Sequence, residues 1–252
     1  MKRVPFQPML HVSPDFEAMS RAAAEFLAAE TQRKPDALFC LATGASPART
    51  YELLSREGRA DRALFAQARF LKLDEWGGLA ADDPGSCERY LRERLIGPLG
   101  IPRGRFFGWR NCPPDPTSEC RRVARWLAAH GPVDISVLGM GTNGHLGFNE
   151  PAPYLTAGPH VARLSAASLG HSMLGGSRRG LCTGLTLGMA DLLRSRQIVL
   201  LVSGRRKARQ MRRLFTRRIT PRFPVSLLWL HPDVHVFCDR DAARFLSPED
   251  LS

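Results

Sequence analysis

The segment 139–151, GMGTNGHLGFNEP, carries the densest chemistry of this 252-residue chain. Glycines at 139, 141, 144 and 147 surround Asn143, His145, Asn149 and Glu150. A loop so rich in glycine lets backbone approach a ligand closely. His145 can protonate a ring or leaving oxygen near neutral pH. A carboxylate five residues later, Glu150, can orient the imidazole and raise its basicity. A second centre is LDEW, 73–76, with Asp74 and Glu75 adjacent at a strand end. Adjacent strand residues face opposite sides, so one of the two is expected to enter a site. A carboxylate beside a carbon acid can carry a proton between neighbouring carbons, first as base and then as acid. The alternative is a carboxylate that caps a loop.

Two further segments suit an anion. LATGASP, 41–47, reads as strand, small-residue turn, then helix. Thr43, Gly44, Ala45 and Ser46 offer backbone N–H groups, two hydroxyls and the roughly half positive charge of a helix start. The segment matches neither GxxxxGK[ST] nor GxGxxG, so nucleotide readings lose support. A tight strand-to-helix turn is the competing reading. In SGRRKA, 203–208, Lys207 near a helix start can hold a phosphate as a point charge. Arg205, Arg206 and Arg209 read as a solvated basic face, and His171 and His231 as structural.

These groups need elements to carry them. Residues 37–43 (ALFCLAT), 68–73 (ARFLKL), 133–140 (VDISVLGM) and 197–202 (QIVLLV) are short, nearly continuous apolar runs. Such runs mark strands buried on both faces. Residues 234–238 (VHVFC) predict a last strand. Ser13-Pro14 predicts a helix start, followed by Phe16, Met19, Ala22, Ala23, Phe26 and Leu27 at helical spacing. Helices are also predicted over 50–54, 87–96, 116–130 and 207–215. Strands alternating with helices imply one α/β domain, 1–252, with a mostly parallel sheet between two helical layers. Ligands of such sheets bind beyond the strands' carboxyl ends. Four of those ends carry the groups named above.

Apolar residues at 44% and charged residues at 24% exclude wholesale disorder and collagen-like repeats. No apolar run approaches the ~20 residues of a membrane span, and the N-terminus lacks the apolar stretch of a cleaved signal peptide. A net charge of +12, from 36 Lys and Arg against 24 Asp and Glu, invites a nucleic-acid reading. The basic clusters lack interleaved aromatics and no zinc-finger spacing occurs, so a nucleic-acid partner is not expected. A positive field also draws small anions. The six cysteines form no CxxC pair and read as reduced cytoplasmic thiols, with Cys40 and Cys238 buried.

With these segments together, the chain resembles the glucosamine-6-phosphate deaminase/isomerase family, most closely its galactosamine-6-phosphate isomerase branch. LATGASPARTYELL resembles the family's phosphate loop, FLKLDEW its carboxylate segment, and DISVLGMGTNGHLGFNEP its signature. GLTLGMADLL, VSGRRKA and SLLWLHPDVHVFCD resemble its later segments, so the likeness spans nearly the whole chain. The resemblance implies a Rossmann-like fold and an aldose–ketose isomerisation coupled to loss of ammonia. It implies Asp74 as proton shuttle, His145 assisting ring opening, and Glu150 orienting His145. It places the phosphate on Thr43, Gly44, Ala45 and Ser46 with Lys207, and Gly141 beside the substrate. No metal or organic cofactor is implied, because the sugar's carbonyl carbon is its own electron sink. The related 6-phosphogluconolactonases continue differently after the shared glycine-histidine; a lactonase and a non-catalytic sugar-phosphate binder are the alternatives.

Three departures stand out. Asn143 replaces the aspartate of the glucosamine enzymes, so His145 is expected to be less basic and to lean on Glu150. HSML, 171–174, lacks the arginine that those enzymes place on the phosphate, and Arg178 or Arg179 is the expected substitute. Residues 154–161 carry no Arg or Lys where allosteric members need them.

Overall fold

The computed structural model describes residues 7–175 and 180–250. Its strands are β1 (Met9–Ser13), β2 (Leu38–Leu41), β3 (Arg69–Lys72), β4 (Asp74–Trp76), β5 (Phe106–Phe107), β6 (Ile135–Gly139), β7 (His160–Arg163), β8 (Thr183–Thr186), β9 (Gln197–Val202) and β10 (Val234–Asp239). Its α-helices are α1 (Phe16–Arg33), α2 (Ala45–Ala60), α3 (Cys87–Leu91), α4 (Pro116–His130), α5 (Ala166–Leu169), α6 (Met189–Leu193), α7 (Ala208–Leu214) and α8 (Arg240–Ala243).

Seven strands form one parallel sheet in the order β1-β10-β9-β6-β2-β3-β5. Side chains alternate between its two faces because the strand period is two. Phe39, Leu41, Ile135, Val137, Val199 and Leu201 pack with Met19, Ala23 and Leu27 of α1 and Tyr51 and Leu54 of α2. Leu38, Cys40, Leu138, Ile198, Leu200, Val236 and Cys238 pack on the other face with α4, α6 and α7. Both faces are covered, so the strands carry apolar residues at nearly every position, as the sequence pattern predicts. Chain order reverses between β2 and β6: the chain runs from β2 out to β3 and β5, then returns to β6 beside β2. That reversal opens the crevice in which doubly wound sheets bind ligands.

The structure differs from the sequence expectations in five places. The continuous strand expected to end at Asp74-Glu75 breaks at Leu73. Leu73 N still donates to Leu41 O of the main sheet, whereas Asp74 pairs with Thr186 of β8. β4, β8 and β7 make a small antiparallel sheet that the sequence pattern did not show. The strands involved are three or four residues long, and β8 (TGLT) has no apolar alternation. Trp76, Phe148, Leu164 and Leu181 form a separate apolar cluster with this sheet. The first helix is capped by Asp15, whose side chain accepts from Ala18 N at 2.8 Å, while Ser13 closes β1. The helix predicted over 50–54 begins at Ala45, which places Ala45 and Ser46 in its first turn. The helix predicted over 87–96 changes at Arg92 to a π-helical turn, with Gly97 N bonded to Arg92 O.

Candidate active site

A cavity of about 580 Å³ opens at the carboxyl ends of β2, β3, β6 and β9. Its wall includes Thr43, Gly44, Ala45, Ser46, Asp74, Gly141, His145 and Lys207. Asn143 and Glu150 are not on the wall; they stand behind His145.

The turn after β2 is arranged for an anion. Gly44 is the N-cap of α2, at φ +117, and no side chain caps the helix, so its first-turn N–H groups face an open cavity. Two buried tyrosines tie down the turn's carbonyls: Tyr51 Oη donates to Ala42 O at 2.8 Å and Tyr90 Oη to Gly44 O at 2.6 Å. Ser46 Oγ lies 3.4 Å from Ser203 Oγ, joining this turn to the one after β9. From that second turn Lys207 reaches across to Met140 O, 2.5 Å away. Burial pulls the Lys207 ammonium down to about 8.

Asp74 and Glu75 separate as adjacent strand residues must. Glu75 faces inward and is structural. It accepts from Lys72 Nζ at 2.7 Å and from the backbone N–H groups of Trp76, Cys87 and Glu88 at 2.9–3.0 Å. Lys72 also pairs with Glu88 at 3.0 Å, so this buried charge cluster is fully partnered. Asp74 faces the cavity with little support. Its side-chain contact is the Cys87 Sγ–H, 3.8 Å from Oδ1, and Cys87 in turn lies 3.3 Å from Thr43 Oγ1. Burial, with the Glu75 charge adding to it, pushes the Asp74 carboxyl up to about 7. A carboxyl poised there can both take and return a proton at neutral pH.

His145 sits against the signature backbone. A Cβ on Gly141 would fall 2.3–2.5 Å from three imidazole atoms, so only glycine lets the ring lie there. Gly144, at φ +89, makes the turn between them. Nδ1 of His145 is 3.2 Å from Glu150 Oε2, close but imperfectly aligned for a hydrogen bond. Such contacts tighten when substrate binds. Glu150 also accepts from Asn143 Nδ2 at 2.9 Å, from Ser165 N at 3.3 Å and from Ser168 Oγ. Burial opposes ionisation, yet His145, Ser168 and Asn143 together hold the Glu150 carboxyl near 2. Asn143 therefore does not stand in for a charge beside the imidazole. It braces Glu150, and its Oδ1 accepts from His145 N at 3.2 Å.

His171, read from sequence as structural, lines the cavity beside Gly44. No motif marks it, because its approach depends on where the 166–175 segment folds back. His231 is structural: it is buried, with Nε2 2.7 Å from Ser195 O. Arg205 and Arg206 contribute to the cavity wall as well as to the solvated surface. Arg178 and Arg179, expected near the phosphate, lie outside the described residues. Among the described residues, no group of three His, Cys, Asp or Glu is placed to hold a metal ion, and no helix is long and apolar enough to cross a membrane.

Residues 14–236 match the family model of glucosamine-6-phosphate isomerases/6-phosphogluconolactonase. Among curated relatives, the putative deaminase AgaI of Escherichia coli is 38% identical over 90% of both chains. Glucosamine-6-phosphate deaminase 1 of Bacillus subtilis is 36% identical over 90% of this chain and 95% of its own. A solved monomeric glucosamine-6-phosphate deaminase superposes with a TM-score of 0.87 at 34% identity, covering 94% of this chain and 99% of that one. The 6-phosphogluconolactonase of Trypanosoma brucei shares the fold, with a TM-score of 0.74 at 20% identity over 96% of this chain and all of that one. A family match across nearly the whole length agrees with the crevice, the turn and the signature loop described above, and the chain belongs to the glucosamine-6-phosphate isomerase/6-phosphogluconolactonase family.

Proposed function

We propose that this protein isomerises and deaminates an amino sugar 6-phosphate, releasing a ketose 6-phosphate and ammonia. The observation that carries the reading is Asp74, a buried carboxyl raised to about 7 that shares one cavity with His145 and an uncapped helix start. The deaminases named above support it from the side of sequence.

In this reading the phosphate sits on the turn of Thr43, Gly44, Ala45 and Ser46 with Lys207, and the sugar lies along Gly141. His145, held by Glu150 and braced through Asn143, hands a proton to the ring oxygen as the ring opens. Asp74 takes the proton from C2 and returns it to C1. The product of that shift is an imine at C2. Water adds there, its oxygen becomes the ketone, and the nitrogen leaves as ammonia. The chain works as one domain in the cytoplasm, where a phosphorylated sugar is retained.

The test is incubation with galactosamine 6-phosphate and glucosamine 6-phosphate, measuring ammonia and ketose phosphate. 6-Phosphogluconolactone serves as the contrast, since its hydrolysis releases no ammonia. Lactone hydrolysis without ammonia release from either amino sugar would overturn the proposal.

A further inference from the structure

We infer that His171 is a fourth element of the phosphate-binding end of the cavity, donating its Nε2–H to the anion. The inference rests on the proposed substrate's phosphate lying in the 43–46 turn.

His171 opens the 3-10 turn Ser172–Leu174, and its Nδ1 accepts from Met173 N at 3.3 Å. That bond makes Nδ1 the acceptor and leaves the proton of a neutral ring on Nε2. Nε2 is directed at the turn: it lies 3.3 Å from where a Cβ on Gly44 would sit, and Gly44 has none. Among the described residues no acceptor meets Nε2. The same cavity wall carries Thr43, Gly44, Ser46 and Lys207, so this N–H converges with the other anion donors.

The electrostatic setting favours the same use. Burial, then the nearby His145 and Lys207, lower the His171 pKa, so the ring offers a neutral donor. Arg205 and Arg206 of the same wall add positive charge, and Asp74 is the carboxylate that shares the cavity. The Trp76 ring lies at 6.2 Å, centroid to centroid, and bears no charge. A bound phosphate would reverse the local field and strengthen the Nε2–H bond. A His171 that served only to cap the Ser172–Leu174 turn would need Nδ1 alone.

The experiment is direct calorimetric titration of inorganic phosphate into wild type, His171→Ala, His171→Gln and His171→Asn, with KM and kcat for the amino sugar phosphate alongside. Losing one hydrogen bond to a charged group should weaken phosphate binding about tenfold or more in His171→Ala. KM should rise in parallel, with kcat changed less than about threefold. Gln reaches the turn with an amide N–H and should recover most of the affinity, whereas the shorter Asn should not. If Ala fails to fold, the Gln–Asn contrast decides. Phosphate affinity within about twofold of wild type in both Ala and Asn, or in Asn alone where Ala is unfolded, overturns the inference. Because the titration needs no turnover, a protein that deaminates nothing yet shows this binding pattern would sink the proposed function and leave the inference standing. Turnover with unchanged phosphate affinity in the variants would do the reverse.

Discussion

Asp74→Asn should yield an enzyme that is both dead and more stable, and the two effects share one cause. Burial and the neighbouring Glu75 charge raise the carboxyl from 3.8 to about 7. At 1.36 kcal/mol per pH unit, the gap of about three units corresponds to about 4 kcal/mol. The sign follows from proton linkage. An acid whose folded pKa is raised binds its proton more tightly in the folded state. Stability then falls as pH climbs from 3.8 to about 7, and the whole cost is present above that. Asparagine stays neutral, so the variant should gain up to about 4 kcal/mol over wild type at pH 8 and little at pH 4. Its turnover should drop by roughly 10²–10⁴, the usual worth of a general acid–base group. Urea unfolding at both pH values reads the stability difference, and ammonia release reads the rate. Wild-type kcat/KM should rise as pH passes about 7, where the base ionises. A variant no more stable than wild type at pH 8, or one retaining over about a tenth of the rate, would show that Asp74 is not the strained shuttle described here.

Other substitutions probe the remaining walls. Lys207 should lose its charge as pH rises through about 8, placing an alkaline limb on kcat/KM. Lys207→Ala should remove that limb and raise KM far more than it lowers kcat, and an unchanged KM would place the phosphate elsewhere. Gly141→Ala puts a methyl 2.3–2.5 Å from the His145 ring. It should displace the imidazole and cut turnover more than about tenfold, at a stability cost of about 1–3 kcal/mol; wild-type turnover would mean that His145 needs no fixed place. Asn143→Asp brings two carboxylates to the 2.9 Å now spanned by a hydrogen bond. Their repulsion, about 6 kcal/mol at an effective dielectric of 20, should keep one proton on the pair. The charge facing His145 then stays near its wild-type value, and the acid limb of kcat/KM, set by Asp74, should stay in place; an upward displacement in the pH–kcat/KM series would refute this.

Much of the fold was legible because a doubly covered parallel sheet leaves a plain record. Residues 37–43, 133–140 and 197–202 are apolar at nearly every position since each face of each strand meets a helical layer. The chemical groups at those strand ends were equally visible, and the rim rule for α/β sheets predicts a common cavity for them, where the structure places Thr43, Asp74, His145 and Lys207. The sequence thus determined the layers, the chemical groups at the strand ends and the motif residues, all of which follow from local pattern.

Tertiary structure supplied the physical reasons that residue types and spacing leave open. Which of Asp74 and Glu75 meets the cavity depends on the chain leaving the main sheet at Leu73 to pair with β8, a contact across more than a hundred residues. Glu75 became structural because Lys72 and the start of α3 converge on it, and Asp74 became strained because little else does. From sequence Asn143 only removes a charge beside His145; the fold gives it a further task by turning its amide to Glu150. His171 carried no motif and reached the anion turn through a fold-back of segment 166–175. In each case the deciding quantity is the set of neighbours a side chain acquires from distant segments, which sets burial and field, and no local pattern encodes it.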